Sequence, residues 1–203
     1  YTGETVASKL SRIREEMKKA GATAHVLTTL DDICWTLNIR GNDIEFFPLV
    51  LSYAVITMDK VDLYINEAKL NSEIKADLEK DGVVLHPYND IYEDIKKTAS
   101  DEVLLIDPAR LNYALYNNIP EGVAKVEERN PEILFKAIKN EVEIENIRKA
   151  QIKDSVAHVK FMKWLKENVG KMTITEISAS DKLDEFRAEQ GNFIRPSFEP
   201  ISS

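Results

Sequence analysis

Val6, Leu10, Ile13 and Met17 recur at helical spacing and make one apolar stripe, with Gly21 placed to stop the helix behind them. Ala24 to Thr28 then reads as a strand, and about Asp31 to Leu37 as a short helix that Thr29 or Asp31 can cap. The segment Leu49 to Thr57 is apolar and β-branched, as a buried strand requires. Met58-Asp59-Lys60 turns it back into a second strand, Val61 to Ile65. Beyond it the pattern predicts a helix from about Leu70 to Lys80 that ends near Gly82, a strand at Val83 to Leu85, and a helix from about Asn89 to Thr98. A strand at Val103 to Ile106, a short helix opened by Asp107-Pro108 and running through Tyr116, and a short strand around Val123 to Val126 complete this stretch.

Strands alternating with helices over residues 1–130 predict an α/β layer fold. The hairpin at Met58 to Lys60 makes its sheet mixed, flanked by helices. The pattern changes near Asn130-Pro131. Glu141 to about Val169 reads as one long helix, and Lys171 to Thr175 as a break. A second helix, capped by Thr173 or Thr175, runs to about Gln190, where Gly191 stops it. Asn192 to Ser203 reads as extended, because Pro196 and Pro200 exclude a helix. The expected organisation is therefore a domain over 1–130 and an incomplete second one, two helices and a strand, over 131–203.

Composition fits a folded chain: 43% of the 203 residues are apolar and 31% charged. Cys34 is the sole cysteine, which excludes an internal disulfide and a cysteine-based zinc cluster and suits a reducing, cytoplasmic setting. The start, Tyr1 to Thr5, has no signal-peptide pattern, and no run approaches the roughly 20 apolar residues of a membrane span. A net charge of -8 argues against nucleic acid as a partner, since phosphate contacts need clustered cations. The basic run from Arg12 to Lys19 is broken by Glu15 and Glu16 and reads as a solvated helix face.

Candidate chemistry is sparse. His25, His86 and His158 lie far apart, with no serine or glycine-rich elbow beside them. Cys34 sits between Ile33 and Trp35 and reads as a buried thiol. The carboxylate groups Asp31-Asp32, Asp43 with Glu45, and Glu141, Glu143 and Glu145 fall at expected helix starts, where they favour the dipole. Asp154 lies one turn before His158, a spacing that suits a surface hydrogen bond better than a metal. No catalytic residue and no metal ligand is expected in this sequence.

Two segments carry more information. The first is Leu30-Asp31-Asp32-Ile33-Cys34-Trp35-Thr36-Leu37-Asn38-Ile39-Arg40-Gly41-Asn42-Asp43-Ile44, followed by Phe47-Pro48 and Leu51-Ser52-Tyr53-Ala54. The second begins at Phe135-Lys136-Ala137-Ile138-Lys139-Asn140-Glu141 and continues through Asp154, Thr175-Glu176-Ile177, Phe186-Arg187 and Ser197-Phe198 to Ile201-Ser202. The first resembles the middle domain of three-domain Xaa-Pro aminopeptidases. The second resembles the opening of the same family's pita-bread catalytic domain.

The resemblance implies a creatinase N-terminal-type fold followed by a truncated pita-bread start. It also implies a parent hydrolase that removes an N-terminal residue preceding proline, using two divalent metals, manganese by expectation, held by residues downstream of Ser203. The chain alone is then expected to be inactive, with no cofactor of its own, and to act as a scaffold and substrate-access piece. Its partners would be peptides with proline in second place, not nucleic acid or a membrane. It would form homo-oligomers through the exposed 131–203 tail. Arg40 and Asp43 are the candidate access residues, either facing the cleft of the complete enzyme or simply pairing with each other to hold a loop. Trp35 reads as core, and Trp164, with Phe161 and Leu165, as packing on a sheet outside the chain. The rival readings are a non-catalytic pita-bread-related interaction module and a fragment of a prolidase or creatinase-type hydrolase.

Overall fold

The computed structural model describes residues 1–201. They divide into two compact units, one of Thr2–Asp43 and Pro48–Lys139, the other of Asn140 onward together with Tyr1 and Ile44–Phe47.

In the first unit six strands form one mixed sheet: β1 (Ala24–Leu27), β2 (Ser52–Thr57), β3 (Val61–Ile65), β4 (Val83–His86), β5 (Val103–Ile106) and β6 (Ala124–Glu127), in the order β4-β3-β2-β1-β5-β6. The β2–β3 hairpin is the source of the mixture. Thr57 N–H donates to Lys60 O at 3.0 Å and closes the turn, so β1, β2 and β3 run antiparallel in sequence, while β1–β5, β3–β4 and β5–β6 are parallel. Both faces are covered, as parallel pairs require.

Side chains alternate between two cores. Leu27, Ala54, Ile56, Leu63 and Leu105 point to the face covered by α1 (Val6–Lys19), α2 (Leu30–Thr36) and α3 (Ser72–Lys80). Val26, Tyr64, Leu104 and Ile106 point to the other face, under α4 (Ile91–Asp94) and α5 (Tyr113–Asn118). The α1 stripe is fully used: Leu10, Ile13 and Met17 are buried, each burial contributing about 1.5–3 kcal/mol. Thr5 caps α1 by accepting from Ser8 N–H, and Gly21, at φ 71°, turns the chain out of it.

The elements fall close to the expected places, with local differences. The long β2 expectation shortens because residues 38–51 form an irregular loop. The expected helix at Asn89 to Thr98 has only one α-helical turn, α4, between two 3₁₀ turns. At Asp107 the side chain accepts from Ala109 N–H in a turn, and the helix begins later, where Asn112 caps α5. A further helix, α6 (Pro131–Ala137), has Pro131 in its first turn and packs against α1 and α2. It extends the first unit to Lys139, beyond the change of pattern at Asn130-Pro131.

The second unit contains α7 (Glu141–Asn168) and α8 (Glu176–Ala188), each opened by a reciprocal capping box, Asn140 with Glu143 and Thr175 with Ser178. Arg187 donates from Nε to Asp154 at 2.9 Å, and Lys160 meets Glu189 at 2.7 Å, tying the two helices. Trp164 is half-buried, stacked 6.1 Å from Phe161 and within cation–π reach of Lys182 on α8. It thus has a partner inside its own unit. Residues 192–201 contain no strand, because no described segment offers them a ladder partner.

Candidate functional site

The two candidate access residues sit on the loop after α2. Arg40 turns back toward the helix and donates from Nη1 to the carbonyl oxygens of Cys34 at 3.1 Å and Ile39 at 2.7 Å. A cation there satisfies carbonyls that a helix C-terminus leaves open. Asp43 accepts from Leu51 N–H at 2.7 Å and from Lys69 Nζ at 2.5 Å. The Lys69 ammonium, helped by the Leu51 amide and opposed by partial burial, holds the Asp43 carboxyl below the usual carboxylate range. The expected Arg40–Asp43 pair is therefore replaced by two separate attachments, Arg40 to α2 and Asp43 to Lys69.

Gly41 explains how the loop closes. Its N–H donates to Pro48 O, and a Cβ at this position would lie 2.7 Å from Val50 Cβ and 3.0 Å from Leu49 O. Only glycine permits that approach. Arg40 and Asp43 rim a groove of ≈ 900 Å³ whose floor is Val6, Leu37, Ile39, Val50 and Leu78. An apolar floor with charged groups at its edge can hold a chain segment. It offers no paired nucleophile and base.

The three histidines stay apart. His86 Nε2 is 2.8 Å from Asp62 Oδ1 and its ring stacks on Tyr64. His158 lies on α7 with Nδ1 3.4 Å from Asp154 Oδ2, and Arg187 occupies the same carboxylate. His25 is fully buried, with Nδ1 3.0 Å from Leu105 O and Nε2 3.2 Å from Glu132 Oε2. Cys34 is buried, and burial pushes its thiol up, which disfavours the thiolate that a nucleophile needs.

The acidic clusters are engaged in structural work. Lys136 of α6 binds both Asp31 and Asp32, the latter at 2.7 Å. Asp32 also accepts from Thr29 Oγ1 and, at 3.4 Å, from Asn130 Nδ2. Glu141 and Glu143 occupy the first turn of α7. Among the described residues no group of three or more His, Cys, Asp or Glu side chains is placed to hold one metal ion. The donors among the described residues do not fit a pair of divalent ions, whose sites need several oxygens converging on one point.

The roles of Glu132, Lys136 and Asn130 depend on α6, a helix that the sequence reading does not include. The signal was there: Asn130-Pro131-Glu132 is a helix start with proline in the first turn and an acid beside it.

The model of the creatinase/prolidase N-terminal domain family matches residues 1–143. The chain belongs to that family. Its whole length is 40% identical to part of "Xaa-Pro aminopeptidase 1" of Dictyostelium discoideum and 36% identical to part of "Probable Xaa-Pro aminopeptidase P" of Neurospora crassa. It covers 33% and 31% of those sequences, about a third of each. Among solved structures it matches X-prolyl aminopeptidase from Caenorhabditis elegans with TM-score 0.93 and 34% identity, over 100% of this chain and 34% of that one. That protein is described as a cytosolic enzyme with a di-nuclear active site. A likeness to the Bacillus anthracis Xaa-Pro dipeptidase, at TM-score 0.63 and 19% identity, shows the shared fold of this creatinase/prolidase N-terminal domain. No helix among the described residues is long and apolar enough to cross a membrane.

Proposed function

We propose that this chain is the scaffold and substrate-access part of a metal-dependent Xaa-Pro aminopeptidase and is inactive by itself. The observation that carries the reading is the agreement of its whole length, at TM-score 0.93, with a third of a solved X-prolyl aminopeptidase. The metal pair, manganese in this reading, is held by the remainder of the enzyme, since the donors here do not fit it. The enzyme's substrates are peptides with proline in second place. The unit from Asn140 onward is read as the opening of its catalytic domain, and the sheet unit, α6 included, as its middle domain. A cytoplasmic setting accords with the free, buried Cys34.

In this reading the Arg40–Asp43 loop limits access. Arg40 is exposed at the rim of the groove while its guanidinium is anchored by two carbonyls. Replacing Asp43 by Asn in the complete enzyme should raise KM for longer peptides and leave kcat on a short one unchanged. Equal effects on both would remove the access role.

The tail is read as a contact between copies. Ile147, Ile152, Val159 and Met162 are exposed on α7. Glu141, Glu143 and Glu145 lie at one end of this helix and Lys160, Lys163 and Lys166 at the other, a pattern that favours an antiparallel second copy. Light scattering of the purified chain should give twice the monomer mass, and a monomer at high concentration would exclude the pairing.

A further inference from the structure

We infer that His25 and Glu132 form a proton-operated clasp that docks α6 on the sheet and loosens it when the shared proton is lost. The inference stands apart from the aminopeptidase reading and would hold if that reading failed.

His25 Nδ1 lies 3.0 Å from Leu105 O, a carbonyl that can only accept, so Nδ1 must carry a proton for that contact to be a hydrogen bond. Nε2 lies 3.2 Å from Glu132 Oε2. Between a bare ring nitrogen and a carboxylate oxygen there would be two lone pairs and no hydrogen. A second proton therefore lies on that contact, either on the ring, giving imidazolium and carboxylate, or on the acid.

Both arrangements contain two protons. Remove one and a contact is lost whichever tautomer remains: with Nδ1–H kept, Nε2 and Oε2 repel, and with Nε2–H kept, the ring's other lone pair faces Leu105 O. Both side chains are fully buried, so water cannot replace the lost partner without opening the structure.

The charged groups on the elements packed around the pair are largely engaged with one another. From α2 come Asp31 and Asp32; from α6, Glu132 and Lys136. Asp107, after β5, accepts from Asn130 N–H at 3.2 Å just before α6. Arg12 of α1 lies over the Phe135 ring, 4.1 Å from its centre, and Arg110 acts on Asp31. Lys136 is taken by the two α2 carboxylates, which leaves His25 to face Glu132. Burial alone would push the imidazole down, but Glu132, with Leu105 O and Asp32, outweighs it and holds the cation above its ordinary range.

The clasp closes on a helix with a particular place in the chain. Glu132 is in the first turn of α6, and α6 leads from the sheet to Asn140 and the start of α7. Loss of the proton leaves a buried carboxylate without its partner and frees the start of α6 to swing away. Rising pH is then the opening signal.

The test follows the ring nitrogens by NMR of the 203-residue chain labelled with ¹⁵N-histidine, from mildly acid to alkaline buffer. Amide exchange, corrected for its intrinsic pH dependence, is followed in parallel. His25 should titrate in one step above 6.5, its ordinary value. Protection of amides in α6 should fall across the same step by about tenfold or more, while α8 stays level. In Glu132→Gln the side-chain amide can donate to Nε2 of a neutral ring, so α6 should stay docked with no step. A His25 that titrates at or below its ordinary value, α6 protection that is flat with pH, or an unchanged step in Glu132→Gln would each overturn the clasp. Should that variant fail to fold, the two wild-type measurements decide alone.

Discussion

His25 on β1 and Glu132 on α6 are 107 positions apart in sequence and meet at 3.2 Å, both fully buried. The contact fastens the last helix of the sheet unit to one of its central strands. Removing one partner of such a pair leaves the other buried and uncompensated, which costs about 3–5 kcal/mol. Glu132→Ala should lose that much in urea unfolding, and Glu132→Gln clearly less. Equal losses would mean that the site is governed by packing.

The same pair sets a pH dependence with a definite sign. The folded value of His25 lies above its ordinary 6.5. Its contribution to stability is therefore complete below that value and disappears as pH rises through the higher folded one. Urea midpoints measured across neutral to alkaline buffer should fall in wild type and stay flatter in His25→Gln.

Lys136 binds Asp31 and Asp32 together, and the Asp32 side chain is 1% exposed. Its hydrogen bonds to the two carboxylates outweigh burial and raise its ammonium above the usual lysine range. Lys136→Ala takes the cation from a buried acid and should cost about 1–3 kcal/mol in denaturant unfolding. Lys139→Ala, which removes an exposed hydrogen bond to Lys136 O, should cost almost nothing.

Gly41→Ala brings a methyl group to 2.7 Å from Val50 Cβ. The contact is with a short, buried side chain and a backbone carbonyl, so it cannot be relieved cheaply. A loss of about 1–3 kcal/mol is expected. Thermal unfolding of this variant beside the wild-type chain measures it.

Why the sheet was readable and the clasp was not is a matter of range. The α1 stripe, the β2–β3 hairpin and the strand at Val103 to Ile106 are local patterns, each confined to a few consecutive residues. Asp107-Pro108 misled because a proline can open a helix or sit in a turn, and here the Asp107 side chain satisfies the turn. Arg40 and Asp43 share one loop, but their partners, the carbonyl of Cys34 and the ammonium of Lys69, are decided by how α2 and the segment after β3 pack. His25 and Glu132 carry no mutual signal along the chain. Only the β1–β5 pairing and the docking of α6 bring them together.

The central claim is that these residues supply scaffold and access, not chemistry. The direct test is the release of the first residue from a peptide with proline in second place, by the purified chain with added manganese. The account predicts a rate indistinguishable from buffer with the metal alone. Hydrolysis that rises in proportion to the chain and vanishes with chelator would contradict it.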